Sequence, residues 1–359
     1  MGLIPTLVAG ALLLVLVGSL PAASGRSARW GLLVHVLALL GGAAGLTHVL
    51  NGSQALPNAD ASRVVKYAIA ELRQAREKNV LLIDGGSFAD HAIDVFVLDR
   101  ELMRLGYSVH AVRLTQSGAN HFERYRLQQD VEQRLEKKQR RRQRWLYLAE
   151  VQHMYDVKPL ATFFRNEGTT RAYHYLTPEN AWYATLAMRS RNVMPADAWF
   201  APLLKHAFVN GFNVGVGSRL ISSEDFDAAN GRPKRDRHHH PDFGGLGEQL
   251  SALEQSPGAA VDLPWLFDIR ERRERRLWKQ YINGLVYFGV PSPQPNELEH
   301  ERRFCAATAQ PCIAPDKPLL EALDRPSFWR DRAHMNVLGS DIYSRWLAQQ
   351  LVAGGYLAK

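Results

Sequence analysis

The chain has 359 residues, 46% of them hydrophobic, with a formal net charge of +8 and a pI near 9.5. That length and apolar content exclude a small stapled module and a disordered acidic tail, and allow one large domain with appendages. The basic balance suits an anionic partner such as nucleic acid, a lipid headgroup or an acidic polymer, without choosing among them.

No ionisable side chain occurs from Leu3 to Ser24, a run long enough to cross a bilayer as a helix, and a second apolar run spans Trp30 to Leu50. Arg26 and Arg29 lie in the link between them, so the simplest expectation is a helical hairpin with that link cytoplasmic and everything after Asn51 extracytoplasmic. Two alternatives stay open: one anchor followed by a buried or interfacial helix, and a cleaved signal peptide ending near "LPAASG", although the first run lacks a basic leader. Residues 1–55 are therefore expected to be a membrane anchor. Residues 56–359 are expected to form an extracytoplasmic domain with a helical and loop insertion around 159–260.

Along that domain the spacing predicts a helix from Arg63 to Lys78, with Val64, Val65, Ala68, Ile69 and Leu72 on one face, and then a buried strand "NVLLIDGG". A helix carrying Ile93, Phe96, Val97, Leu102 and Met103 follows, stopped at Gly106, before a strand "YSVHAVRL". Strand, helix, strand with a short return reads as a βαβ crossover in a parallel sheet. After the loop "TQSGAN" come a basic helix from His121 to Arg144, a third strand "WLYLAEVQ", a mostly helical stretch over 159–220 and a polar Gly, Pro and His-rich stretch over 222–260. Helix is expected again over 263–281, then a strand "GLVYFGV", and a last helix from Ser340 to Val352. The whole is an α/β layer in which functional loops belong at the carboxyl ends of the strands.

Three such loops hold candidate chemistry: Ser87 after the first strand, Gly118 after the second, and Asp331 with His334 before the last helix. A serine hydroxyl becomes a useful nucleophile when an imidazole accepts its proton, and that imidazole needs a carboxylate to fix its tautomer. Asp331 and His334, three apart, can point into one crevice. Gly85 and Gly86 are expected to let the chain turn sharply before Ser87. Taken singly, Ser87 reads more simply as the cap of a helix starting near Ala89, Asp331 as a turn cap with His334 a polar surface residue, and Gly118 as a turn glycine; the paired terminal block shifts the balance toward the nucleophile.

With "IDGGSF", "SGAN" and "DRAHMNVLG" in this order, the sequence resembles the SGNH or GDSL hydrolase superfamily from about Val80 to Leu351. The resemblance implies a flavodoxin-like three-layer parallel sheet of SGNH type. It also implies Ser87 as nucleophile, His334 as general base and Asp331 as its orienter, with the backbone N–H groups of Ser87 and Gly118 in an oxyanion hole. The third motif of that superfamily supplies an Asn; here the chain reads "AEVQHMYD", leaving Gln152 or Asn120 as candidate amide donors.

An anchored domain of this type is similar to the membrane-tethered acyltransferases that modify bacterial exopolysaccharides or wall polymers. It implies O-acyl transfer, of acetyl above all, to an exported or cell-surface polysaccharide through an acyl-serine. The implied location is the bacterial inner membrane with the catalytic domain on the periplasmic side, and the implied partner is a membrane-bound O-acyltransferase (MBOAT). A carbohydrate esterase of the same fold and a noncatalytic scaffold are the alternatives.

Cys305 and Cys312, seven apart, fit a small disulfide in an oxidising compartment, and two separate thiols remain the other reading. Their spacing lacks a second pair for zinc, and the three histidines of "RHHHPD" point in different directions along a polar loop, so no metal and no cofactor is expected. The runs "KKQRRRQR" and "RERRERR" lack interleaved aromatics for stacking bases, so they read as solvated helix faces or as holders of an anionic glycan or lipid headgroup. No nucleic-acid partner is expected.

Overall fold

The computed structural model describes residues 59–75, 79–116, 119, 121–135, 144–151, 226–227, 232–233, 246–247, 282–293 and 297–357, with isolated positions elsewhere. The chain divides into two compact units, Met1–Ala59 with Asp156–Ser223, and Asp60–Tyr155 with Glu224–Lys359. The second unit holds the sheet and every described candidate residue. Both amino-terminal apolar runs lie outside the described residues apart from Gly31, Val34 and His35, and among the described residues no helix is long and apolar enough to cross a membrane.

In the second unit α1 (Ala59–Gln74) leads into β1 (Asn79–Gly85), followed by α2 (Ser87–Ala92), α3 (Val95–Arg104) and β2 (Val109–Thr115). Then come α4 (His121–Arg134), β3 (Arg144–Glu150), two short strands β4 (Phe226–Asp227) and β5 (Arg232–Pro233), and β6 (Ile282–Phe288). The chain closes with α5 (Glu297–Ala307), β7 (Cys312–Ile313), α6 (Lys317–Leu323), a 3-10 turn (Pro326–Phe328) and α7 (Val337–Ala353). β2, β1, β3, β6 and β7 form one sheet in that order, all parallel, and β4 pairs with β5 in a separate antiparallel ribbon. The fold is α/β.

Burial on both faces explains why β1 and β3 read as unbroken apolar runs. Leu81 and Ile83 of β1, Leu146 and Leu148 of β3, and Val286 and Phe288 of β6 face a core shared with Phe88, Leu98, Leu102, Tyr343 and Leu347 of α2, α3 and α7. The alternate residues Val80, Leu82, Trp145 and Tyr147 are equally buried. On their side Glu71 of α1 bonds His110, Gln128 of α4 donates to the Tyr147 hydroxyl, and Arg124 reaches Asp84. Truncating one of these core side chains to Ala would cost about 2–5 kcal/mol.

The chain leaves β1 toward β2 on one side and returns past it to β3 on the other. The crevice beyond the carboxyl ends of β1 and β3 is therefore the place where a sheet of this order opens to a ligand, and it is where Ser87 begins α2.

Among the described elements, α5, α6 and the two-residue strands β4, β5 and β7 were not legible in the sequence. Cys305 lies in the last turn of α5 and Cys312 on β7, and the two form a disulfide. The pair thus staples a helix end to an edge strand. The last helix starts at Val337, with Asn336 as its cap: the side-chain oxygen accepts the Leu338 and Gly339 N–H groups at 2.9 and 3.2 Å, and the amide nitrogen donates to the Ser327 carbonyl at 2.7 Å. Gly339 is required by space, since a Cβ there would sit 2.4 Å from the Phe328 carbonyl oxygen.

Candidate active site

The loop from Arg330 to Met335 is pinned at both ends. Trp329, fully buried, donates its indole N–H to the Leu323 carbonyl at 2.9 Å and bridges to Met335. The Arg330 N–H bonds the His334 carbonyl at 2.9 Å, and the Asn336 N–H bonds the Phe328 carbonyl at 3.0 Å. Within this tight loop the Asp331 carboxylate accepts the backbone N–H groups of Ala333 and His334, each at 2.8 Å, and meets Nδ1 of the His334 ring at 2.9 and 3.0 Å from its two oxygens.

A carboxylate on Nδ1 requires the proton there, which leaves Nε2 as the basic nitrogen. Partial burial pushes the Asp331 carboxyl up, but the His334 ring, the two amides and the imidazole charge outweigh it and hold the group well below the usual carboxylate range. The Asp331 and His334 side chains are 42% and 24% exposed, so this pair remains open to a reactant. Asp331 and His334 thus form a dyad.

The His334 ring lies against α2, with its centroid 5.4 Å from Phe88 and 4.7 Å from His91. Ser87 is the first residue of that same helix. The carboxyl end of β1 and the terminal loop, remote in sequence, therefore meet on one short helix. No hydrogen bond joins the Ser87 hydroxyl to the His334 ring; the ring packs against its two aromatic neighbours instead.

Ser87 is not the helix cap. The cap position belongs to Gly86, and no side chain bonds the first turn from there. The chain does turn between Gly85, the end of β1, and Ser87, the start of α2, without a left-handed residue: Gly86 has φ −89°, and the described glycines with positive φ are Gly106 and Gly355. Space is the reason for Gly85 and Gly86. A Cβ at Gly85 would meet the Ala89 Cβ at 2.3 Å, and one at Gly86 would press on the Glu150 carboxylate at 3.3 Å while making ordinary contact with the Ala119 carbonyl at 3.5 Å.

Glu150, at the end of β3, is the residue the sequence did not point to. Its carboxylate accepts the N–H of Gly86 on Oε2 and the N–H of Ala89 on Oε1, the latter at 2.7 Å. Arg124 of α4 lies between Glu150 and Asp84. Its Nη1 approaches Glu150 at 3.4 Å, Nε and Nη2 bond the Asp84 carboxylate at 3.0 and 2.5 Å, and Nη2 also reaches the Glu150 carbonyl at 3.1 Å. All three side chains are sealed from solvent. Burial opposes the Arg124 charge, but the two flanking carboxylates raise its pKa above the ordinary guanidinium value. Complete burial pushes the Glu150 carboxyl up, against the opposing pull of Arg124 and of the two amides.

His91 is a second residue outside the expected set. Four residues after Ser87 on α2, it shares that helix face, and side chains of a helix lean toward its amino end. With the helix expected to start near Ala89, the pairing was hidden; counted from Ser87, the spacing S-x-x-x-H reveals it. Asp90 of the same helix takes Thr115 at 2.6 Å and Arg113 at 3.3 Å, which ties α2 to the end of β2.

Gly118, Asn120 and Gln152 lie outside the described residues. Their neighbour Ala119 sits with its carbonyl against Gly86, and the Gln116 N–H bonds the Gly85 carbonyl at 3.0 Å, so the loop after β2 does reach the Ser87 turn. The "RHHHPD" stretch and all of "KKQRRRQR" except Arg144 are also outside. In "RERRERR", Arg273 is buried with its guanidinium 3.8 Å above the Tyr125 ring, so this arginine belongs to the packed interior rather than to a solvated face. Among the described residues no group of three or more His, Cys, Asp or Glu side chains is arranged to hold a metal. No protein-family model matches the chain, and no curated protein matches it.

Proposed function

We propose that the chain is a membrane-anchored serine acyltransferase with a flavodoxin-like, SGNH-type domain, which transfers an acyl group, acetyl above all, to an exported or cell-surface polysaccharide. The observation that carries this reading is the Asp331–His334 dyad packed onto the helix that begins with Ser87, beyond the carboxyl end of β1. The strand order supports the finer fold, since 2-1-3 followed by two further strands is the flavodoxin-like arrangement with its ligand crevice at the β1/β3 switch point.

In this mechanism His334 Nε2 takes the Ser87 hydroxyl proton as Oγ attacks the acyl carbonyl of the donor. The bond to the leaving alkoxide then breaks, and His334 returns the proton to it. A sugar hydroxyl next gives its proton to His334 and attacks the acyl-serine, and Ser87 recovers a proton as the acyl group departs. Asp331 holds the ring tautomer and stabilises the imidazolium in both halves. Water as acceptor would make the same site an esterase. An inner-membrane location, with the acyl group delivered across the bilayer by a membrane-bound O-acyltransferase, belongs to this proposal.

A noncatalytic scaffold is favoured by one observation, the missing hydrogen bond between Ser87 and His334. Detergent-solubilised full-length protein given nitrophenyl acetate separates the readings. Release of nitrophenol that Ser87→Ala and His334→Ala both abolish supports the enzyme, and acetylated oligosaccharide formed from an added acceptor supports transfer over hydrolysis. Release at the uncatalysed rate supports the scaffold.

A further inference from the structure

Resting on that reading, we propose that Glu150 is a positioning residue for the nucleophile: from the end of β3 its carboxylate grips the backbone on both sides of Ser87 and sets where the hydroxyl stands relative to His334. Oε2 holds the Gly86 N–H, one residue before the serine, and Oε1 holds the Ala89 N–H, two residues after it. α2 is six residues long, with no side-chain cap of its own. An isolated helix of that length is marginal, because its first turn fixes several dihedrals for very few internal bonds, and its exposed N–H groups need outside acceptors. Glu150 supplies two of them at once.

The grip is rigid because Glu150 is itself held. Arg124 spans it and Asp84, and Asp84 is the penultimate residue of β1, so β1, β3 and α4 are tied together beneath the turn. The fit around the glycines leaves no slack: side chains at 85 or 86 would collide with Ala89 or press on the Glu150 carboxylate. This places a strand-borne anchor at the first turn of the helix against which the His334 ring packs.

Among the described residues, the groups that bond the two Glu150 oxygens are all donors: two backbone N–H groups and one guanidinium N–H. Glu150→Gln therefore has to turn an NH2 toward a donor, losing at least one contact and repelling it, although shape and volume are conserved. A displacement of about 1 Å at a reacting group lowers rates by roughly 10²-fold. The loss is expected in the maximal rate of reaction at Ser87 and not in reagent affinity.

The test compares full-length wild type, Glu150→Gln and Tyr147→Phe. The last removes a buried hydrogen bond from the same strand, where Tyr147 accepts from Gln128, without touching the turn. Two quantities are read: the saturating rate and half-saturation concentration for Ser87 modification by a serine-directed phosphonate, and amide hydrogen exchange at Gly86 and Ala89. The proposal expects Glu150→Gln to slow saturating modification at least 10-fold with unchanged half-saturation, and to speed exchange at both amides at least 10-fold, while the β1 and β2 amides stay protected. Tyr147→Phe should leave both readouts at wild-type values. Should Glu150→Gln not accumulate folded, Glu150→Asp, which keeps the charge but withdraws it by one carbon, should show the same two changes in smaller measure.

Wild-type modification rates in Glu150→Gln, or equal losses in Tyr147→Phe, overturn the proposal. Wild-type protein that the phosphonate does not label at all overturns the serine chemistry itself, a result separate from these.

Discussion

Two acid–base clusters flank the same short helix, and they are built in opposite ways. Asp84, Arg124 and Glu150 are sealed beneath α2, with the guanidinium shared between two carboxylates. Asp331 and His334 stand in a loop packed on the same helix, partly exposed, with one edge of the imidazole committed to the carboxylate and the other uncommitted to it. A cluster sealed from solvent, with its one guanidinium already bonded to both carboxylates, is poorly placed to exchange a proton with a reactant, whereas a half-open dyad is placed to do so. The contrast separates the group that holds the serine from the group that would activate it.

The largest effect expected from breaking this contrast is at Arg124. Arg124→Leu leaves two carboxylates facing each other without a countercharge in a dry site, and the loss should be about 3–5 kcal/mol, read as a lower midpoint in urea denaturation. A loss under about 1 kcal/mol would mean that the two carboxylates share a proton and need no cation.

The disulfide, which belongs to neither cluster, gives the next effect and a reference for plain chain tethering. Closing a loop of this length, seven residues in sequence separation, contributes about 2 kcal/mol through the unfolded chain. The Cys305→Ser, Cys312→Ser double variant should lose roughly that much stability, with the rate at Ser87 unchanged.

The smallest effect on stability, and the sharpest on rate, is expected at Asp331. Because this carboxylate is substantially exposed, Asp331→Asn should cost less than about 1 kcal/mol, yet lower the rate about 10²–10⁴-fold by releasing the ring tautomer. The sign of its pH dependence follows from its depressed pKa. The favourable contribution is present above the ordinary value of 3.8 and is lost as pH falls below it, so the acid limb of the stability curve should flatten slightly in Asp331→Asn. Equal losses of stability and rate would make the dyad a structural turn.

Much of this arrangement is legible before folding because it is local or periodic. β1 and β3 announce themselves as unbroken apolar runs since both faces of the sheet are covered. Asp331 and His334 are close enough in sequence for one loop to join them. Glu150 was not legible, because a carboxylate at a strand end reads as a surface residue until Arg124 and the Gly86 and Ala89 amides are seen around it. β7 escaped because two residues carry no period. The glycines before Ser87 signal the turn out of β1 in the sequence itself, but the room they leave for Ala89 and Glu150 appears only once the strands are side by side.

The most direct measurement is the site of covalent modification when the full-length protein is treated with a serine-directed phosphonate and mapped by peptide mass spectrometry. The account predicts a single adduct on Ser87, with a rate at least about 10²-fold lower in His334→Ala. No adduct, or one on Ser87 that forms equally fast without the imidazole, would contradict it.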